Sequence, residues 1–288
     1  MNCVSFILTR KCSASCVGCP VSKEEKSMSL AVLQKAAGDL HLCHGNIGKV
    51  KFFGGEPLLE YDLLRQGYSF LKENGFAGTF EVGTNGILLE DDIISWLSER
   101  PDIQVNLNAW FDNAAIMLGR KGHKSLQNVI WNLCIYPENP NLAFERMKKI
   151  HSILGGEGHR INLLPAAYCL WNPRQLMELD NAIRTIFVYI RDNGLVLENV
   201  TRNGNTPLFN DGPAVDTDGT IYVSNVCLAD MPASVRKGLV FNPDRNRNLS
   251  NRDLINIYGF DKIAATYAAS RIMSKYVGEF QEYQYYAA

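Results

Sequence analysis

Three closely spaced cysteines near the N-terminus carry the clearest chemistry in this sequence. Cys12, Cys16 and Cys19 lie in the run Cys-Ser-Ala-Ser-Cys-Val-Gly-Cys, directly after the apolar segment Val4 to Leu8. Iron–sulfur clusters are normally held by four cysteine thiolates. Three thiolates leave one iron of a four-iron cluster without a protein ligand, and an open iron can bind a substrate or a cofactor. The triplet therefore predicts a reactive cluster rather than a simple electron carrier.

From the triplet alone, three alternatives to a cluster are a zinc knuckle, a disulfide pair with a spare thiol, and a chance arrangement. A structural zinc site needs four ligands with paired spacings, and no histidine or second cysteine pair lies nearby. A disulfide with a spare thiol is disfavoured, because the chain shows no secretory signal and its eight cysteines form no framework. The five histidines have no metal-ligand spacing.

Two further motifs follow predicted strands. Gly54-Gly55-Glu56-Pro57 comes directly after the strand predicted at 50–53, and Thr84-Asn85-Gly86 comes shortly after the strand predicted at 79–82. Ligands of parallel sheets gather at the carboxyl ends of the strands. The cysteine loop and both motifs are therefore expected at one edge of the sheet.

Short apolar segments alternate along the chain with amphipathic segments of helical spacing. Strands are predicted at Val4 to Leu8, Val50 to Phe53, Thr79 to Val82, Ile103 to Leu107, Leu133 to Tyr136 and Ile161 to Leu164. Helices are predicted to begin near Ser29, Leu58, Glu90, His123 and Pro140, and a long one after the Asn172-Pro173 cap. This pattern predicts an α/β fold, a parallel sheet curled into a partial barrel.

Composition restricts the partners that this chain can have. Its 29 basic and 30 acidic residues give a formal net charge of −1, so no nucleic-acid footprint is expected. With 46% hydrophobic and 20% charged residues, a sizeable core is predicted. Met1 to Leu8 is too short for a signal peptide, and no apolar run approaches the span of a bilayer. We expect a cytoplasmic protein that contacts neither nucleic acid nor membrane.

The spacing C-x3-C-x2-C, together with the two strand-end motifs, resembles the radical S-adenosylmethionine (radical SAM) superfamily. The resemblance implies a partial (βα)6 barrel in which Cys12, Cys16 and Cys19 hold one [4Fe-4S] cluster. It also implies that S-adenosylmethionine is cleaved reductively to a 5′-deoxyadenosyl radical, which abstracts a hydrogen atom from the substrate. Flavodoxin or ferredoxin would supply the electron, and the setting would be anaerobic.

The same resemblance assigns roles to residues at the strand ends. It places Gly54, Gly55 and Glu56 at the methionine part of S-adenosylmethionine, and Thr84 and Asn85 at its carboxylate or ribose. Asn106 and Asn108 in the fourth strand alternate as if they face one side and are assigned to the ribose hydroxyls. The alternative is a polar strand end satisfied by backbone or water, although asparagine is otherwise depleted in strands.

Three further features of the sequence bear on these assignments. The residue before the third cysteine is usually aromatic in the family and lies near the adenine, whereas this chain has Gly18. By this resemblance, the contact to the adenine is either absent or supplied by another residue. A second Gly-Gly-Glu, at 155–157, follows a predicted helix and is interpreted as a helix-ending turn. Arg10 and Lys11 border the cysteine loop and are expected to be solvated.

After residue 200 the alternation of predicted strands and helices ends. Val215 to Tyr222 surrounds Asp218-Gly219, a strong hairpin signal, and Cys227 follows. This resembles the opening of the SPASM or twitch extension of radical SAM peptide maturases. No cysteine follows Cys227, so no auxiliary cluster is expected. We predict a barrel at 1–200 and, at 201–288, a hairpin that serves as a lid over the open side.

Two roles are possible for Cys227, and two classes of substrate are possible for the enzyme. Cys227 is either a small buried residue, the usual fate of a free cysteine, or a thiol that returns a hydrogen atom to a substrate radical. The hairpin favours a ribosomal peptide or protein side chain as substrate, although the core begins at residue 3 and leaves no module for a leader peptide. A small metabolite (a nucleotide, sugar or amino-acid derivative) is the alternative. An alternative to any enzymatic function is that the chain is a non-catalytic iron–sulfur scaffold or electron carrier.

Overall fold

The computed structural model describes residues 3–16, 19, 21–42, 47–108, 126–201, 212–242 and 249–287. Gly18 and the helix predicted near His123 lie outside these residues. Within the described helices, none has an apolar stretch of the length that a bilayer requires.

The described strands form one mostly parallel sheet. They are β1 (Cys3–Thr9), β2 (Lys49–Gly54), β3 (Thr79–Thr84), β4 (Ile103–Asn108), β5 (Val129–Ile135), β6 (Arg160–Pro165), β7 (Val196–Leu197), β8 (Ala214–Val215) and β9 (Ile221–Tyr222). The order across the sheet is β7-β6-β5-β4-β3-β2-β1-β8-β9. β1 pairs in parallel with β2, β2 with β3, β5 with β6, and β6 with β7. The predicted α/β fold is confirmed.

The described α-helices alternate with these strands. They are α1 (Leu30–Asp39), α2 (Tyr61–Glu73), α3 (Asp91–Ser98), α4 (Leu142–Leu154), α5 (Pro173–Asp192), α6 (Glu198–Thr201), α7 (Ala233–Gly238), α8 (Asn251–Tyr258) and α9 (Phe260–Ala287). The predicted caps are present. Ser29 accepts from the amide of Val32 at the start of α1, and Asn172 and Gln175 form a capping box at the start of α5. Gly155, with φ +62°, ends α4 as predicted for the second Gly-Gly-Glu.

Contacts between residues divide the chain into two compact units. Unit one contains Met1–Thr84, Glu99–Val105 and Leu208–Ile257, and unit two contains Asn85–Ser98, Asn106–Pro207 and Tyr258–Ala288. The predicted boundary at residue 200 stays a prediction.

Each unit has its own apolar core. In unit one, Phe6, Phe52 and Phe80 on β1 to β3 are fully buried, and the rings of Phe52 and Phe80 stack with centroids 5.9 Å apart. In unit two, Leu133 and Leu163 on β5 and β6 are fully buried. Their registered pairing shows that they lie side by side on one face of the sheet.

The predicted hairpin is present, and its role as a lid over the open side of the barrel stays a prediction. β8 and β9 pair antiparallel across the Asp218-Gly219 turn. β8 also pairs in parallel with β1, with Ser5 opposite Ala214 and Phe6 opposite Val215. The hairpin therefore extends the sheet of unit one. The physical reason is that β1 would otherwise expose an unpaired backbone edge.

Candidate active site

The three cysteines lie on one loop of unit one, which begins where β1 ends. Cys12, Cys16 and Cys19 are all half-buried and free of disulfides. The Cys19 amide donates to the Cys16 carbonyl over 3.3 Å, and the two thiols are hydrogen-bonded to each other. Folding has thus already placed two of the three thiols where each alters the acidity of the other.

The hydrogen bond between Cys16 and Cys19 shifts the pKa values of the two thiols in opposite directions. The bond from Cys16 lowers the pKa of Cys19 to about 6. The same bond raises the pKa of Cys16, and burial adds to that rise. Burial also raises the pKa of Cys12, and the carboxylate of Glu56 contributes in the same direction. One thiolate is therefore available near neutral pH, which suits metal ligation because the thiolate is the ligand form.

Lys23 supplies positive charge to this loop, a role that was not predicted from the sequence. Its Nζ donates to the carbonyl of Ala14, between the first two cysteines. The ammonium also lowers the pKa of Cys12, of Cys16 and of Cys19. No spacing rule marks this lysine, because its position depends on how the loop folds back on itself.

The Gly54-Gly55-Glu56 turn is fastened to the cysteine loop by backbone hydrogen bonds. The Gly55 amide donates to the Thr9 carbonyl over 2.9 Å, and the Glu56 amide donates to the Lys11 carbonyl over 2.8 Å. A Cβ built on Gly55 would lie 2.1 Å from the Lys11 oxygen, and Gly54 has φ +144°. The two glycines therefore let two backbone segments approach within hydrogen-bonding distance.

Glu56 connects this turn to the end of β3. Its carboxylate is 1% exposed, and Oε1 accepts from the Leu58 amide at 3.1 Å and from Thr84 Oγ1 at 2.7 Å. The cysteine loop, the Gly-Gly-Glu turn and Thr84 thus come together in unit one, as predicted. Asn85 belongs to unit two, where its Oδ1 accepts from the Ile87 amide at 2.9 Å.

Arg10 is not solvated, which corrects the expectation from the sequence. The residue is 2% exposed. Its Nε donates to Asp216 Oδ1 at 3.0 Å and its Nη2 to Asp216 Oδ2 at 2.5 Å, while Nη1 reaches Glu24 at 3.1 Å. The bidentate pair joins the start of the cysteine loop to the β8–β9 hairpin. Its carboxylate lies 206 residues away in sequence, so local pattern could not reveal it. Lys11, by contrast, is partly exposed beside Glu60, 3.6 Å away.

Cys227 lies in the same network through its backbone. Its carbonyl accepts from Arg10 Nη2 at 3.0 Å and from Arg236 Nη1 at 2.6 Å. The side chain is fully buried, and burial raises the pKa of the thiol. These facts favour packing over hydrogen-atom donation.

A row of asparagines crosses the strands of unit two. Asn162 Nδ2 donates to Asn132 Oδ1 at 2.8 Å, and Asn132 Nδ2 donates to Asn108 Oδ1 at 3.0 Å. Asn106 is 5% exposed on the same strand as Asn108. The two β4 asparagines were predicted from the sequence, and those on β5 and β6 were not. Asparagine inside an apolar strand was the available signal.

The thiols of the cysteine loop fit an iron–sulfur cluster better than a single metal ion. Among the described residues, no three His, Cys, Asp or Glu side chains converge on one metal position. In a four-iron cluster each cysteine binds a different iron, so convergence on one point is not needed. An all-thiol donor set on one loop, with Lys23 beside it, suits such a cluster.

Comparison with known proteins agrees with this geometry. Residues 6–133, a little under half of the chain, match the family model described as the radical SAM superfamily. This part of the chain is similar to the domain that defines the radical SAM superfamily. No relative was found among curated proteins.

Solved structures extend the likeness in fold over most of the chain. One is native anSMEcpe with bound AdoMet and Cp18Cys peptide, at TM-score 0.64 and 11% identity, covering 97% of this chain and 98% of that one. Another is Streptococcus suis SuiB bound to the precursor peptide SuiA, at TM-score 0.56 and 12% identity, covering 91% and 70%.

The comparisons settle enzyme class and cofactors at the level of the superfamily. Radical SAM proteins are enzymes that use a [4Fe-4S] cluster and S-adenosylmethionine, and both predictions are confirmed at that level. The fold matches that of radical SAM partial barrels. The SPASM or twitch character of the C-terminal segment is not confirmed, and its hairpin is an edge of the sheet.

Proposed function

We propose that this chain is a radical SAM enzyme that modifies a ribosomal peptide or protein side chain. The observation that carries the proposal is the cysteine loop, fastened through the Gly55 and Glu56 amides to the turn that ends β2. Such fastening holds three potential ligands beside a second strand end, where a cofactor can reach them.

Each residue of the site has a proposed task. Cys12, Cys16 and Cys19 hold the cluster, and Lys23 offsets part of its negative charge. When bound, the cluster and S-adenosylmethionine supply one-electron cleavage chemistry that yields a 5′-deoxyadenosyl radical. Glu56, held by Leu58 and Thr84, fixes the turn beside the loop. Asn106 and Asn108 remain the proposed contacts to the ribose, and Asn85 a contact to the carboxylate or ribose.

A peptide substrate is favoured over a small metabolite by the fold likeness. The anSMEcpe structure contains the Cp18Cys peptide, and SuiB is bound to its precursor peptide. Flavodoxin or ferredoxin is the proposed electron donor. Hydrogen-atom donation by Cys227 is not part of the proposal, since its side chain is fully buried.

Anaerobic reconstitution tests the catalytic part of the proposal. The full chain is loaded with iron and sulfide, reduced with dithionite and incubated with S-adenosylmethionine, and 5′-deoxyadenosine is measured by chromatography. We expect formation of 5′-deoxyadenosine, its loss in Cys16→Ala and its retention in Cys3→Ala, a half-buried cysteine of β1 outside the loop. Iron content and low-temperature electron paramagnetic resonance are measured on the same samples.

The same experiment separates the non-catalytic alternative. A four-iron cluster whose resonance spectrum is unchanged by S-adenosylmethionine would favour a scaffold or electron carrier. Equal activity of Cys16→Ala and the parent chain would contradict the assignment of the loop.

A further inference from the structure

The three hydrogen-bonded asparagines of unit two lie in one row across neighbouring strands. Asn162 on β6 donates to Asn132 on β5 at 2.8 Å, and Asn132 donates to Asn108 on β4 at 3.0 Å. Asn132 and Asn162 are registered partners in the parallel pair of β5 and β6. The next residues, Leu133 and Leu163, are fully buried and lie on the opposite face of the sheet. The asparagines therefore form a polar stripe on one face only.

The row becomes more exposed towards β4. Asn162 is 6% exposed and Asn132 is 7% exposed, whereas Asn108 is half-buried. Buried amides need hydrogen-bond partners for their donor and acceptor atoms. The Oδ1 and the Nδ2 of Asn132 are both paired within the row. Asn108 is therefore the end at which the row can meet a ligand.

The hydrogen bonds also give the row a direction. Each Nδ2 donates towards β4, so the Oδ1 of Asn108 is turned to Asn132. The Nδ2 of Asn108 has no hydrogen-bond partner among the residues that the structure describes. The half-buried end of the row thus presents an amide donor, and the ligand atom that complements it is a hydrogen-bond acceptor.

The side chains that flank the row on the same face favour a neutral acceptor. Arg160, two residues before Asn162, donates from Nε and Nη2 to the two carboxylate oxygens of Glu198, each at 3.0 Å, so its charge is compensated. On the other side the row is flanked by Cys134 and Leu164, which are registered partners. A carboxylate or phosphate would need a cation that is free to pair with it. A hydroxyl oxygen does not.

We propose that Asn132 and Asn162 are positioning residues, which hold the amide of Asn108 in the orientation that donates to a ribose hydroxyl of S-adenosylmethionine. The inference rests on the proposed function, in which Asn108 contacts the ribose. Asn132 and Asn162 act through Asn108 and do not themselves contact the ligand. A side chain that is held in place before binding avoids the cost of being ordered on binding, and this cost corresponds to about three- to tenfold in affinity.

The dissociation constant of S-adenosylmethionine tests the proposal without turnover. It is measured by anaerobic equilibrium dialysis on the cluster-loaded full chain, without reductant. Asn162→Leu should weaken binding by about three- to tenfold. Asn162→Ala removes the same donor without added bulk and should have the same effect, which guards against misfolding caused by leucine. The matched control is Asn128→Leu, at an asparagine that accepts from Arg160 at 2.9 Å outside the row, and its affinity should be unchanged.

A double-mutant cycle with Asn108→Ala distinguishes positioning from a purely structural role. If Asn162 acts through Asn108, Asn162→Leu should have no further effect once Asn108 is replaced by alanine. The same loss in both backgrounds, an equal loss in the Asn128→Leu control, or unchanged binding by both Asn162 variants would overturn the inference alone. A parent chain that does not bind S-adenosylmethionine would overturn the proposed function and the inference together.

Discussion

The substitution Asp216→Asn tests how strongly the hairpin supports the cysteine loop. It replaces a buried carboxylate by a group of equal size and leaves the guanidinium of Arg10, 2% exposed, without its bidentate partner. Breaking a buried ion pair by removing one partner costs roughly 3–5 kcal/mol. Glu24, whose side chain is 33% exposed, stays 3.1 Å from Arg10, and the asparagine keeps one acceptor oxygen. We therefore expect a loss of about 2–4 kcal/mol in the free energy of unfolding.

Anaerobic urea unfolding, followed by tryptophan fluorescence, measures this loss. The matched control is Asp218→Asn, in the same turn, where the aspartate is exposed and accepts from the Thr220 amide at 2.9 Å. We expect the control to lose less than about 1 kcal/mol. Iron bound after reconstitution should fall in Asp216→Asn and stay unchanged in the control.

The double variant Arg10→Met with Asp216→Leu isolates the physical cause. Replacing both members of a buried ion pair by apolar side chains is often nearly neutral. We therefore expect the double variant to be more stable than Asp216→Asn alone. Equal stability of Asp216→Asn and Asp218→Asn would refute the reasoning, because the buried pair would then contribute nothing.

Two further outcomes follow from the loop itself. Gly55→Ala should reduce both stability and iron binding, because its Cβ would lie 2.1 Å from the Lys11 oxygen. The control Gly38→Ala, whose Cβ would have nothing within 4 Å, should stabilise α1 by about 0.5–1 kcal/mol. Urea unfolding and iron analysis measure both variants, and equal effects would contradict the packing argument. In the cluster-free protein, Cys19 should react with iodoacetamide with a midpoint near pH 6, since its thiolate forms above its lowered pKa. Mass spectrometry maps the site, and an unchanged midpoint in Cys16→Ala would show that the hydrogen bond is not the cause.

The strands and their end motifs could be predicted because local pattern determines them. All six predicted strands are present, and Ser29 and Asn172 cap the helices that they were expected to start. The hairpin at 214–222 was also predicted from its Asp-Gly turn. Its pairing with β1 was not, because sequence periodicity contains no information about which distant strand edge a hairpin joins.

The site features that could not be predicted from the sequence depend on polar contacts between residues that are separated along the chain. A charged residue such as Arg10 beside a loop is expected to be solvated. Arg10 is buried because it pairs with Asp216, which is distant in sequence. Lys23 and Ala14 meet because the loop turns back on itself. The asparagine row is different: Asn132 interrupts an apolar strand, and that departure from strand preference could have been used.

The link between Arg10 and Asp216 also has a consequence for the order of events during synthesis. Arg10 leaves the ribosome early, but its carboxylate partner lies 206 residues further along the chain. At translation rates of about 5–20 residues per second, roughly 10–40 s pass before the partner is made. During that interval the cysteine loop lacks its support from the hairpin, and its thiols are open to oxygen and stray metals. Correct loading with iron and sulfide is therefore expected only after the C-terminal segment has emerged and folded.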